Sequence, residues 1–283
     1  MPMESRRFEV EPGRSLAYTH WGDPANPRTL ICVHGLTRNG RDFDHLARAV
    51  EADYRIVCPD VAGRGDSDWL EDKDAYGFDL YCRDVLALIG HLGVGTLDWL
   101  GTSMGGIIGM MLAARPDGPV GRLILNDVGA FIPAVALERI AGYVGGDPAF
   151  IDRDEAEARF REVLAPFGPL TDAQWDHMVE HGVEERGGAL RLRYDPAIAR
   201  PFESGEIVDV DLWPLWDAVA CPVLVLRGSE SDLLRAETVA EMKTRGPGAA
   251  LGVESVEIPS TGHAPTLMDP AQIAAVRDWL LWS

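Results

Sequence analysis

The sequence predicts an α/β fold: a mostly parallel, doubly wound, eight-stranded twisted sheet flanked by helices, with one helical cap inserted. Three observations carry this. Short apolar runs recur along the chain, each followed by a stretch with helical spacing. Most of these runs are continuous, as in strands buried on both faces, instead of alternating polar and apolar. Between residues 129 and 216 the alternation stops, and the segment becomes rich in charge, helical periodicity and Pro and Gly breaks. A chain of 283 residues is long enough for one such domain with an insertion. The core is therefore expected in residues 1–128 and 217–283, and the cap in 129–216.

In order, residues 7–21 read as two short strands, and Arg28 to Val33 (RTLICV) as a fully buried one. A helix is expected over 41–50. Tyr54 to Cys58 repeats the buried pattern and runs into a glycine-punctuated loop, Pro59 to Ser67. Helical spacing covers Asp79 to Leu92, and Thr96 to Leu100 is the next strand. The apolar helix Ile107 to Leu112 follows, then the strand Arg122 to Asn126 (RLILN). After the insertion come Pro222 to Leu226 (PVLVL), a helix near 234–244, a strand from Val253 to Ile258, and a closing helix from Pro270 to Trp282. In such sheets ligands bind at the carboxyl ends of the strands, and the candidate chemistry falls there.

Between the strand ending at Leu100 and its helix stands G-x-S-x-G, as Gly101-Thr102-Ser103-Met104-Gly105. A serine hydroxyl is a poor nucleophile unless held exposed beside a base. A sharp strand-to-helix turn exposes it but crowds its neighbours, so the residues two before and two after must lack side chains. Both are glycine. The helix start also aims free N–H groups at the reacting oxygen. Ser103 is the candidate nucleophile. The candidate base is His263, one of seven histidines, in the loop after the last strand and preceded by Gly262. A carboxylate must orient that base. Asp232, after the PVLVL strand, is preferred on chain order and loop position, with Glu230 and Asp127 as competitors. The backbone N–H groups of Met104 and Leu36 would form the oxyanion hole, with Gly35 admitting the substrate and His34 bracing the loop.

Strand–His34-Gly35, the Gly101-x-Ser103-x-Gly105 elbow, Asp232 and His263 resemble the α/β-hydrolase family in order and placement, over nearly the whole chain outside the insertion. Ser103-Met104-Gly105-Gly106 with Gly262-His263 and Pro270 is similar to the bacterial esterases, lactonases and carbon–carbon bond hydrolases. One departure concerns the acid. Many members carry it three residues after the strand-end glycine, where this chain has Ser231 and Asp232 is the fourth. A serine nucleophile sets the chain apart from the haloalkane dehalogenases and epoxide hydrolases.

A net charge of −19 argues against nucleic-acid and anionic-membrane partners. No apolar run reaches membrane-spanning length, and Met1 to Val10 lacks the apolar stretch of a secretory signal. The four cysteines, Cys32, Cys58, Cys82 and Cys221, show no metal or disulfide spacing, so a cytoplasmic setting is expected. His177-Met178-Val179-Glu180-His181 matches H-x-x-E-H. Without a third ligand in view it reads as a solvated amphipathic helix, and no metal or cofactor is expected. Arg38, Arg64 and Trp69 read as ordinary loop residues near the pocket mouth. The sequence thus suggests cleavage of carboxylic esters of small to medium, mainly apolar substrates through an acyl-enzyme. Lactone, thioester or vinylogous-diketone cleavage is the alternative within that class, and a non-hydrolytic small-ligand receptor the alternative outside it. Oligomeric state is not legible.

Overall fold

A computed structural model describes residues 3–203 and 205–282. Eight strands form one sheet: β1 (Glu4–Glu11), β2 (Arg14–Trp21), β3 (Thr29–Val33), β4 (Arg55–Pro59), β5 (Leu97–Thr102), β6 (Val120–Asn126), β7 (Val223–Gly228) and β8 (Val253–Ile258). Their spatial order is β1-β2-β4-β3-β5-β6-β7-β8. Strands β3 to β8 run parallel, and the β1–β2 hairpin adds antiparallel to β4. The chain order reverses beside β3, and there β3 and β5 place their carboxyl ends side by side, Val33 opposite Gly101.

Why β3 is apolar after Thr29 follows from its two faces. All five of its residues are buried. Ile31 and Val33 point into one apolar layer, with Leu88 of α2 (Phe78–Leu92) and Ile108 of α3 (Met104–Ala113). Leu30 and Cys32 enter the opposite layer, with Leu46 and Val50 of α1 (Asp44–Val50) and with Val276 and Leu280 of the helix Pro270–Trp282. Each such Leu, Ile or Val contributes roughly 1.5–3 kcal/mol by leaving water, and helices on both faces explain why no polar residue interrupts the run from Leu30 to Val33.

Between β6 and β7 the chain leaves the sheet. It forms α4 (Ala134–Ala141), α5 (Arg153–Val163) and α6 (Asp172–Gly182), the last opened by a Thr171–Gln174 capping box. Two short ladders that sequence periodicity did not suggest join them: the hairpin of Val183–Arg186 with Ala189–Leu192, and Phe131–Ile132 with Val210–Asp211. Strands of two to four residues are too short to show a period. Phe150, Phe160, Trp175, Met178 and Val179 give this segment an apolar cluster of its own, which also takes in Met268 from the loop after β8. Among the described residues no helix is long and apolar enough to cross a membrane.

Candidate active site

Ser103 stands between the last residue of β5 and the first of α3, with φ 52° and ψ −114°. A non-glycine residue held at positive φ costs of order 1–3 kcal/mol, and the surroundings enforce it. A Cβ on Gly101 would lie 2.2 Å from the Gly105 carbonyl carbon, and one on Gly105 would lie 2.0 Å from the Val33 carbonyl oxygen. No side chain fits at either position. The Ser103 N–H donates to the Asn126 carbonyl (3.0 Å), and Trp99 Nε1–H donates to the Gly105 carbonyl (3.0 Å).

His263 reaches Ser103 from the loop after β8. Its Nε2 lies 2.9 Å from Ser103 Oγ, and its Nδ1 lies 2.8 Å from Asp127 Oδ2. An ionised carboxylate only accepts, so the ring proton belongs on Nδ1, and the Nε2 lone pair is free to take the serine proton. Asp127 is fully buried immediately after β6 and has φ 54°. It also accepts from the Gly228 N–H (2.8 Å) and the Ser231 hydroxyl (2.6 Å). Ser231 Oγ in turn accepts from the Leu234 N–H (2.9 Å).

Asp232, the carboxylate preferred from sequence, does not meet His263. It forms a bidentate pair with Arg139 of α4, Oδ2 to Nε 2.5 Å and Oδ1 to Nη2 2.8 Å. The carboxylate against Nδ1 is that of Asp127, one of its two competitors on sequence. The reason is local geometry. The left-handed backbone at Asp127 turns its side chain off the end of β6 toward the histidine, while Asp232 is drawn outward by a guanidinium from the inserted segment. The position where many relatives carry the acid holds Ser231, and its hydroxyl serves Asp127 instead.

Leu36 follows β3 in the same corner, where a Cβ on the adjacent Gly35 would come 3.8 Å from Ser103 Cβ. Among the described residues nothing accepts the Leu36 N–H, and Met104 is the first residue of α3, whose N–H has no intrahelical partner. Arg64, expected at the surface, is fully buried and donates through Nε to the Leu36 carbonyl (2.9 Å) and through Nη1 to Tyr81 Oη (2.9 Å). It thereby fixes the Leu36 peptide.

His34 Nδ1–H donates to the Gly35 carbonyl (2.7 Å), and its Nε2 accepts the Val61 N–H (3.0 Å). Burial pushes its pKa down to about 4, so the ring stays neutral in the fold. In the unfolded chain a histidine titrates near 6.5. The stability that this neutral ring supplies is therefore complete above about pH 6.5 and is lost as pH falls from there toward 4, because only the unfolded chain takes up the proton. In denaturant titrations at pH 7.0, 5.5 and 4.5, His34→Gln is expected to weaken the pH dependence by about one proton relative to wild type. Equal slopes would contradict the assignment.

Ser103 and His263 open into a small cavity of about 50 Å³, walled by Leu36, Ile140, Phe167 and Met178 among others. Beyond it lies a larger one of about 550 Å³ between the inserted segment and the loop after β3, and Thr37, Arg38, Tyr143 and Leu164 line both. Arg38 is thus a buried wall residue and not a surface one. Trp69 instead lies under Arg186 and Lys73, 4.7 and 5.3 Å from its ring centre. The H-x-x-E-H helix is α6. His177 and His181 meet Asp44 of α1 with ligand atoms within 4.8 Å of one another. Both Asp44 oxygens accept from Arg41, and His177 Nε2 lies 2.9 Å from the Arg41 carbonyl. The cluster binds the inserted segment to the core, where a solvated face was expected.

The sequence profile of the alpha/beta hydrolase family matches residues 30–276. The chain is 49% identical over 268 residues to the 3-hydroxybutyrate-oligomer hydrolase of Cupriavidus necator, covering 92% of this chain and 90% of that one. It is 26% identical over 245 residues to the 2-(acetamidomethylene)succinate hydrolase of Mesorhizobium japonicum, covering 85% and 83%. Among solved structures, an alpha/beta hydrolase from Novosphingobium aromaticivorans superposes with a TM-score of 0.87 at 40% identity, over 98% of each chain.

Proposed function

The chain belongs to the alpha/beta hydrolase family, and from that premise we propose that it cleaves carboxylic esters with a short acyl group, hydroxyacyl esters included. The carrying observation is the hydrogen-bonded line from Ser103 through His263 to Asp127, opening into a cavity. Ser103 Oγ attacks the ester carbonyl as His263 Nε2 takes its proton. Asp127 holds the Nδ1–H and stabilises the imidazolium. The Leu36 and Met104 N–H groups receive the oxyanion. His263 then protonates the leaving alcohol and activates water, which releases the acid and restores Ser103. Residues 129–216 act as a cap whose walls select the substrate. The near-full-length likeness to a 3-hydroxybutyrate-oligomer hydrolase supports the ester class. The four free, buried cysteines support a cytoplasmic setting.

The small cavity at Ser103 makes the acyl side the restrictive one. Across p-nitrophenyl esters from acetate to dodecanoate, kcat/KM is expected to peak at acetate to butanoate and fall with longer chains. A rise with chain length would contradict the short-acyl reading. Absence of ester turnover with Ser103 still open to a fluorophosphonate would move the reading to lactones, thioesters or carbon–carbon bonds.

A further inference from the structure

Resting on the ester-hydrolase reading, we infer that the larger cavity is a carboxylate-binding chamber, in which Arg38 and Arg159 hold the acid end of an ester whose leaving alcohol is itself a hydroxy acid. Three observations lead there. Both arginines line this cavity of about 550 Å³, in a protein whose net charge is −19. Its carboxylate, Asp147, is already paired with Arg186 and Arg191 (2.9 Å each) and so leaves the chamber without a free negative charge. Arg38 spends only Nε and Nη2 on Asp42, and among the described residues its Nη1 bonds nothing.

The approach to that Nη1 is kept open. Gly182, the last residue of α6, also lines the chamber, and a Cβ there would lie 3.0 Å from Arg38 Nη1 and 2.5 Å from the Phe160 ring. Any side chain at 182 would fill the space over the guanidinium, which itself lies 5.5 Å from the Phe160 ring centre. Arg159, an exposed residue on the chamber's rim, uses Nη1 on Glu162 (2.7 Å), and among the described residues its other N–H groups bond nothing. The two cavities share Thr37, Arg38, Tyr143 and Leu164, so a substrate can lie across both. A short acyl group then sits at Ser103, and the alcohol side runs outward until its carboxylate meets the arginines. Guanidinium–carboxylate hydrogen bonds are the strong, charge-assisted kind. In 3-hydroxybutyrate dimer the ester oxygen and the free carboxylate are separated by two carbons, so one molecule presents both groups.

The reaction balances without a co-reactant. Ser103 forms an acyl ester as the hydroxy acid leaves with the proton from His263, and water then splits the acyl ester. The test compares 3-hydroxybutyrate dimer as the free acid with its methyl ester, reading kcat/KM for each. Wild type is expected to prefer the acid by about tenfold or more, the scale of a hydrogen bond to a charged group. In Arg159→Gln and Arg38→Gln that ratio is expected to fall toward one, and Arg159→Lys to retain part of it. A purely structural role would lower both rates together and leave the ratio unchanged, and that result overturns the inference. So does a wild-type ratio near one. Ser103-dependent cleavage of p-nitrophenyl esters with neither dimer form cleaved overturns the chamber's role but leaves the ester reading standing. No Ser103-dependent hydrolysis of any ester overturns both.

Discussion

Ser103→Ala is expected to remove ester turnover to background, a loss in kcat of about a million-fold, while the protein stays folded. The expectation follows from the covalent route. Without the hydroxyl no acyl-enzyme forms, and groups that act as a unit fail together when one is removed. The substitution deletes one oxygen, and among the described residues Ser103 Oγ hydrogen-bonds only to His263 Nε2. Both Gly101 and Gly105 keep the space the turn needs. Far-UV circular dichroism and the thermal midpoint should therefore match wild type. Turnover above about one per cent of wild type would exclude Ser103 as the nucleophile.

Asp127→Asn is expected to lower kcat by about ten-thousand-fold, the scale seen when the orienting acid of a serine triad is made an amide. The amide is nearly isosteric, and its carbonyl can take the Oδ1 place and still accept from the Gly228 N–H, while the NH2 takes the Oδ2 place that faces His263 Nδ1 and Ser231 Oγ. Its NH2 turned to His263 Nδ1 places the ring proton on Nε2, the tautomer that cannot take the serine proton. Asp232→Asn is the control. Its pair with Arg139 leaves both side chains about one-third exposed, so its loss should cost below about 1 kcal/mol of stability and change kcat by only a few-fold. If Asp232→Asn instead produces the large loss and Asp127→Asn the small one, the acid is misassigned.

The contrast between these two carboxylates marks where the sequence stops being legible. Both follow a strand end, and both lie between Ser103 and His263 in the chain, so order cannot separate them. What separates them is the left-handed backbone at Asp127 and the arrival of Arg139 from a segment about ninety residues away in sequence. The first has a faint signal, since aspartate is among the few residues that tolerate positive φ. A serine at 231, where many relatives have the acid, is a second. The strands were readable because a parallel sheet covered on both faces demands unbroken apolar runs, as in residues 30–33 and 223–226. The elbow was readable because steric exclusion leaves glycine alone at 101 and 105. Arg38 and Arg64 were not, since a polar loop residue carries no mark of burial. Only the fold shows Arg64 enclosed beside the Leu36 carbonyl and Arg38 in the wall of two cavities.

The most direct measurement is peptide mass spectrometry after treatment with a fluorophosphonate, which reacts only with a serine already activated by its base. One adduct is predicted, on the peptide carrying Ser103, absent in Ser103→Ala and formed far more slowly in Asp127→Asn than in Asp232→Asn. Folded wild-type protein that stays unmodified, or carries its adduct elsewhere, would contradict the account.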